Sequence, residues 1–166
     1  EEDTNLRCTL LVDGSASMAY GEGPMTKYEY ASTAAAALAL LLLRQHDAVG
    51  CATFAESVRH AVPLRTSRRH LTTIVAALES FAPADKTSLD EVLTAAAENY
   101  PRRGMMILIS DLLADPAHTL RGLQLLRAQG HDVLVFHVLD NDEMDFPFSG
   151  PARFDGLETS DHLRCN

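Results

Sequence analysis

The chain has 166 residues, enough for one domain with a sizeable hydrophobic core. Its hydrophobic fraction of 46% and charged fraction of 22% are typical of a soluble globular protein. The net charge of −9 argues against binding to nucleic acids or anionic membranes, because both require a positive surface.

The first half of the sequence predicts three strands and two helices. In chain order these are a strand at 6–12, a helix at 27–45, strands at 48–54 and 57–64, and a helix at 68–80. The first strand is almost entirely apolar, as in parallel strands that are buried on both faces. The third strand follows the second so closely that we expect an antiparallel pair, and Pro63 favours an edge position for it.

The second half continues the alternation of helices and strands. In chain order these are a helix at 89–100, a strand at 105–109, a helix at 116–129 and a strand at 133–138. Ser88 and Glu91 form a capping-box pattern before the first of these helices. Asp115 and Pro116 are a typical start for the second. The aromatic, Pro- and Gly-rich segment at 145–157 is expected to add short edge strands.

Strands that alternate with helices predict crossover connections and a mainly parallel sheet. The predicted fold is α/β, with a doubly wound, mostly parallel central sheet, one antiparallel edge strand and helices on both faces. We expect residues 1–166 to form a single domain. The chain has no initiating Met and enters a strand almost at once, so we also expect it to be a fragment of a longer protein without its N-terminal region.

Three features favour a cytoplasmic location. The first three residues are acidic, which is unlike a signal peptide. The longest apolar stretch, residues 31–43, is too short to cross a membrane. The three cysteines contain no CxxC pair, so a zinc or dithiol site is not expected, and a reduced chain is the simplest interpretation.

Polar side chains follow two of the predicted strands. Asp13, Ser15 and Ser17 come directly after the first strand, and Ser110 and Asp111 end the strand at 105–109. Ligands of open parallel sheets bind at the carboxyl ends of the strands, where the strand order reverses. If these two strands are neighbours, Asp13 and Asp111 face one crevice.

These side chains, together with the Thr87 hydroxyl in the loop before a helix, are hard oxygen donors. Such donors favour Mg²⁺, Mn²⁺ or Ca²⁺ over zinc or copper. The spacing Asp13-x-Ser15-x-Ser17 lets a curved loop direct alternate side chains at one ion. Only the two aspartates are anionic, so a bound dication can accept an Asp or Glu carboxylate from a protein partner.

These residues resemble the metal-ion-dependent adhesion site of von Willebrand factor A domains. The chain also resembles a bacterial family known only as domain of unknown function 58, through segments that include TNLRCTLLVDGSASM, YEYASTAAAALALLLLRQHDAVGCATF and LISDLLADP. The resemblance implies work alongside a MoxR-type AAA+ ATPase. It implies metal ligation, directly or through water, by Asp13, Ser15, Ser17, Thr87 and Asp111.

Three functions are compatible with this pattern. The first is a non-enzymatic, metal-dependent interaction module, with Mg²⁺ as the expected ion. The second is a Mg²⁺-dependent hydrolase such as a phosphatase, although Ser15 stands where an Asp-x-Asp phosphatase has its second aspartate. The sequence also has no G-x-S-x-G motif and no P-loop. The third is a structural domain whose site has lost its metal. We expect the first. Lys86 precedes Thr87 where adhesion-site domains often have glycine, and its ammonium would repel a dication if it pointed into the site.

Overall fold

The computed structural model describes residues 5–21, 23–158 and 162–165. A five-stranded sheet in the order β3-β2-β1-β4-β5 forms its centre. The strands are β1 (Arg7–Asp13), β2 (Ala48–Phe54), β3 (Val58–Arg65), β4 (Met105–Ser110) and β5 (Asp132–His137). β3 pairs antiparallel with β2, whereas the other pairs are parallel. The predicted mostly parallel sheet with one antiparallel edge strand is confirmed.

Helices cover both faces of this sheet. They are α1 (Lys27–Arg44), α2 (His70–Glu79), α3 (Leu89–Asn99) and α4 (Pro116–Ala128). Alternate side chains of β1 enter two separate cores, because successive residues of a strand point to opposite faces. Leu10 and Val12 pack with residues of α1 and α2, whereas Leu11 packs with residues of α3 and α4. The three-layer, doubly wound arrangement is therefore also as predicted.

The strand order reverses between β1 and β4. The chain passes from β1 through α1 to β2 on one side of β1, whereas β4 and β5 lie on its other side. Val12 pairs with Ile109 in parallel register, so both strands end at the same edge of the sheet. The fold thus positions the end of β1 and the end of β4 side by side at the switch point.

The segment after β5 differs from the prediction. A short helix, α5 (Asn141–Asp145), follows β5, and the strands β6 (Ala152–Asp155) and β7 (His162–Cys165) pair with each other in a separate sheet. The segment at 145–157 does contain a short strand, β6, but that strand does not join the central sheet. α5 ends at Asp145, and the next residue, Phe146, has a left-handed backbone (φ 44°) that turns the chain there.

Both helices begin at the predicted residues, but one of the two predicted helix caps is wrong. Asp115 caps α4 as predicted, because its carboxylate accepts the backbone N–H groups of Ala117 and His118. Ser88 makes no side-chain cap hydrogen bond at the start of α3. Its backbone lies outside the extended region that a capping residue usually adopts, and its N–H donates to the Ala55 carbonyl.

Two cysteines lie inside the sheet. Cys8 and Cys51 are buried free thiols on β1 and β2. Burial raises the pKa of each thiol to about 12, so both behave as small apolar side chains. Separately, no helix within the described ranges has both the length and the hydrophobicity needed to cross a membrane.

Candidate metal site

The loop after β1 brings two serine hydroxyls next to Asp13. The Asp13 carboxylate accepts a hydrogen bond from the Ser15 backbone N–H at 2.9 Å, which turns the chain back over the strand end. A short 3-10 helix, Ala16–Ala19, follows directly. The Ser15 and Ser17 hydroxyl oxygens lie 3.1 Å apart, and both residues are buried. The alternate spacing in the sequence therefore places both hydroxyls together at the carboxyl end of β1.

The end of β4 lies directly beside Asp13. The Ser110 hydroxyl donates a 2.5 Å hydrogen bond to the Asp13 Oδ2 atom, and both residues are fully buried. The parallel register explains this contact, because the residues that follow the paired Val12 and Ile109 are Asp13 and Ser110. Ser110 is thus a further residue of the site. Its position opposite Asp13 in the sheet register is the signal that identifies it.

Asp111 follows Ser110 and is held by two donors. Its Oδ1 atom accepts the Leu113 backbone N–H at 3.1 Å, and its Oδ2 atom accepts the Lys27 ammonium at 2.8 Å. The same ammonium lies 2.7 Å from the Glu143 Oε1 atom on α5. Lys27 is the first residue of α1 and is buried. A buried lysine therefore supplies the positive charge beside Asp111.

Lys27, and not Lys86, is the lysine that reaches the site. Lys86 is exposed to solvent. Burial by itself would lower the pKa of Lys27, but the Asp111 and Glu143 carboxylates outweigh burial and raise it above its usual value. Lys27 therefore stays charged at neutral pH. Its partners lie 84 and 116 residues away along the chain, so no local sequence pattern predicts this cluster.

Asp13 is in a different electrostatic environment from Asp111. Among the described residues, the donors to its carboxylate are neutral and come from Ser110 and Ser15. Burial raises the pKa of Asp13 from 3.8 to about 6, and hydrogen bonds from the Ser110 hydroxyl and from the backbone and side chain of Ser15 oppose the rise. Repulsion from the Asp111 carboxylate adds to it. Asp13 is thus a buried acid, close enough to Asp111 to be repelled by it, and no Lys, Arg or His within the described ranges forms an ion pair with it.

Thr87 lies beside the loop after β1 but belongs to a different hydrogen-bond group. The Ala84 N–H donates to the Gly14 carbonyl at 3.0 Å, and the Ala16 N–H donates to the Asp85 carbonyl at 2.9 Å, so the two loops run together. The Thr87 N–H and hydroxyl both donate to the Glu158 carboxylate, each at 3.3 Å. Thr87 is half-buried. The loops are brought together as expected, and Glu158 is a contact that sequence reasoning missed.

The arrangement suits a divalent ion with oxygen ligands. Lys27 offers one positive charge to two carboxylates, Asp111 and Glu143, whereas Asp13 has no ion-pair partner in the part of the chain that the structure describes. These three acids and one ammonium leave two negative charges unbalanced, which one dication would neutralise. Within the ranges that the structure describes, no three Asp, Glu, His or Cys side chains form a metal-binding group. An ion here would therefore depend on the serine hydroxyls and on water as well as on the aspartates.

A substitution at Gly14 tests how tightly the loop after β1 is packed. A Cβ atom at position 14 would lie 2.0 Å from a Phe81 ring carbon, closer than real Cβ contacts allow. We expect Gly14→Ala to lower the free energy of unfolding by about 1–3 kcal/mol, because the ring must move. Urea denaturation measures the change. Gly23→Ala is the control, since its added Cβ meets nothing within 4 Å. Equal stability of the two variants would contradict the packing.

Comparison with known sequences identifies the family. A family model described as "Protein of unknown function DUF58" matches residues 1–166. The chain belongs to the DUF58 family. Uncharacterized proteins of Mycobacterium tuberculosis and Mycobacterium bovis are each 32% identical to this DUF58 chain over 160 residues. The match covers 95% of this chain and 50% of each relative, so the chain spans about half the length of the curated relatives it matches.

Solved structures share the fold of this DUF58 chain. BatB from Bacteroides thetaiotaomicron superposes with a TM-score of 0.68 at 19% identity, over 96% of this chain and 75% of BatB. The manganese-loaded TRAP protein of Plasmodium vivax superposes with a TM-score of 0.51 at 17% identity, over 79% of this chain and 56% of TRAP. At these identities the likeness shows the fold alone. The DUF58 chain has a von Willebrand factor A-like fold, as its resemblance to that family implies.

Proposed function

We propose that this domain is a non-enzymatic protein-interaction module that binds its partner through a divalent cation. Mg²⁺ is the expected ion, and Mn²⁺ and Ca²⁺ have the same preference for oxygen ligands. The residues that would hold the ion, directly or through water, are Asp13, Ser15, Ser17, Thr87 and Asp111. The Ser110 hydroxyl would orient the Asp13 carboxylate from behind through its hydrogen bond.

The buried Asp13 carboxylate is the observation that carries this proposal. A carboxylate that is fully buried with neutral donors is destabilised as an anion. A dication next to Asp13 would supply the missing countercharge, and the adjacent Ser15 and Ser17 hydroxyls would supply two more oxygen ligands. The manganese-loaded state of TRAP supports the idea that this fold can hold such an ion.

The partner would supply a carboxylate. Mg²⁺ prefers about six oxygen ligands and usually keeps some water in its shell. The dication balances the charge of the site but leaves coordination positions to water, and an Asp or Glu side chain from a partner can replace that water. From the family resemblance, we propose a MoxR-type AAA+ ATPase as the partner, with the interaction in the cytoplasm.

A binding assay with the purified MoxR-type ATPase of the same organism tests the proposal. We expect the immobilised domain to bind the ATPase in MgCl₂, to release it in EDTA, and to lose binding in Asp13→Asn. Asp132→Asn is the matched control. Asp132 is an exposed acid at the start of β5, and the starts of the parallel strands lie at the edge of the sheet opposite the proposed site. ATPase binding that is indifferent to EDTA, or the absence of binding, would contradict this proposal.

The hydrolase alternative has its own test. A Mg²⁺-dependent hydrolase would release p-nitrophenol from p-nitrophenyl phosphate and would lose that activity in Asp111→Ala. We expect no metal-dependent turnover above that of the Asp111→Ala variant. Turnover that depends on both Mg²⁺ and Asp111 would show that the domain is an enzyme and would contradict the non-enzymatic proposal.

A further inference from the structure

Three large apolar side chains on α5 and directly after it are exposed to solvent. Met144 is 69% exposed, Phe146 62% and Phe148 44%. The two phenylalanine rings pack edge to face with their centroids 5.3 Å apart, so they present one surface. These three residues form the α5 patch. Exposed apolar side chains that lie together, unlike scattered single ones, mark interaction surfaces.

The backbone at Phe146 makes this patch more costly. Its φ of 44° lies in the left-handed region, which glycine and asparagine adopt more easily than a residue with a large side chain. The ring is mostly exposed, so burial within the domain offsets little of this strain. Strained residues of this kind cluster at functional sites. A partner that buries the ring would offset both the strain and the exposure.

Two polar contacts hold α5 against the rest of the domain. The Tyr20 hydroxyl donates to the Asp142 carboxylate at 3.0 Å, and the Lys27 ammonium lies 2.7 Å from the Glu143 carboxylate. Lys27 also contacts Asp111, so α5 is tied to the residue that follows β4. The α5 patch therefore lies on an anchored element next to the candidate metal site.

Charge determines which kind of partner suits the α5 patch. Residues 139–158 contain six acids and one arginine, a net charge of −5 out of −9 for the whole chain. Within the described ranges, the ion pairs of this segment are those of Glu143 with Lys27 and of Asp155 with Arg153. A negative surface attracts a basic partner and repels both a second copy of this chain and an anionic membrane.

We propose that the α5 patch binds a segment of a partner protein that combines apolar side chains with Lys or Arg. The flexible Met144 side chain adapts to different apolar groups, and the two rings supply rigid contact area. Lys or Arg beside those apolar groups would face exposed acids such as Asp145. This contact needs no cation, so it goes beyond the proposed function and is tested separately from it.

Fluorescence anisotropy in EDTA tests the inference, because EDTA removes any contact that a cation bridges. The probe is a fluorescein-labelled amphipathic helix of about 15 residues that is built from Leu and Lys. The same helix with Glu in place of Lys is the charge control. We expect wild type to bind the Lys helix, and the double variant Met144→Gln/Phe146→Asn to bind it at least about tenfold more weakly.

The variants are chosen so that loss of binding is not loss of the fold. Asn adopts the left-handed backbone readily, so Phe146→Asn removes the ring and keeps the turn. Urea denaturation should show the double variant to be as stable as wild type. Leu120→Gln is the matched control, since Leu120 on α4 is 56% exposed and its replacement should leave binding of the Lys helix unchanged.

Equal binding of the Lys helix by wild type and the double variant would reflect net charge alone and would overturn the inference. Binding of the Glu helix, or no binding by wild type, would also overturn it. Sedimentation equilibrium and flotation with phosphatidylcholine vesicles test the other occupants, and we expect a monomer that does not float. Self-association or flotation that the double variant loses would assign the patch to a second copy or to lipid instead. Failure here leaves the cation-dependent proposal in place, because every measurement is made without Mg²⁺.

Discussion

Replacement of Lys27 with methionine is expected to lower the free energy of unfolding in EDTA by about 3–5 kcal/mol. The Lys27 ammonium contacts Asp111 at 2.8 Å and Glu143 at 2.7 Å, and both Lys27 and Asp111 are buried. Removing one partner of a buried ion pair leaves the other charge uncompensated, which accounts for an effect of this size. The substitution also releases α5 from the start of α1, because Glu143 lies on α5. Urea denaturation in EDTA measures the change.

The same variant tests the proposed metal site when it is measured in MgCl₂. Without the ammonium, the dication is the remaining source of positive charge for Asp111, so Mg²⁺ should recover part of the lost stability and bind more tightly than to wild type. Arg59→Met is the control, because the Arg59–Asp85 pair is exposed and should contribute less than about 1 kcal/mol. A Lys27→Met variant as stable as Arg59→Met would contradict the buried ion pair.

The contribution of Asp13 to the stability of the metal-free domain is expected to rise as the pH falls from 7 towards 4. The pKa of Asp13 is about 6 in the folded state, against 3.8 for an unperturbed aspartate, so the folded state binds the proton more tightly than the unfolded chain does. Above pH 6 the folded protein therefore bears the full penalty of the buried anion, about 3 kcal/mol, and protonation removes it as the pH falls. The measurement is the free energy of unfolding in EDTA across this pH range.

Asp13→Asn isolates this contribution from other titrating groups. The difference in stability between wild type and Asp13→Asn should change by about 2 kcal/mol between pH 7 and pH 4 in EDTA, with wild type gaining at low pH. Saturating Mg²⁺ should reduce the pH dependence of that stability difference, because a bound ion would stabilise the Asp13 anion. A difference that does not depend on pH in EDTA would contradict the buried, unpaired state of Asp13.

The fold and half of the site follow from local patterns in the sequence. The apolar run of β1 and the alternation of strands and helices predict a doubly wound sheet. The rule that ligands bind at the carboxyl ends of parallel strands brings Asp13 and Asp111 to one edge. The position of Ser110 beside Asp13 depends in addition on the strand register, which pairs Val12 with Ile109. That register is a property of the assembled sheet.

The remaining site residues depend on contacts that no local pattern encodes. In the sequence, Lys27 is only the first residue of an ordinary helix. Its acidic partners come from the residue after β4 and from α5, which only the folded chain brings to it. Glu158 reaches Thr87 from 71 residues away. α5 has five residues, too few for a helical period to be recognised. The capping pattern at Ser88 was misleading because a tertiary hydrogen bond to Ala55 holds its backbone.

Anomalous scattering from crystals grown with MnCl₂ tests the central claim most directly. We predict one Mn²⁺ peak at the carboxyl ends of β1 and β4, bonded to Ser15 and Ser17 and joined to Asp13 and Asp111 directly or through a single water. Crystals of Asp13→Asn should lack that peak. Full Mn²⁺ occupancy elsewhere, or no peak while Lys27 remains on Asp111, would contradict a cation site at this edge of the sheet.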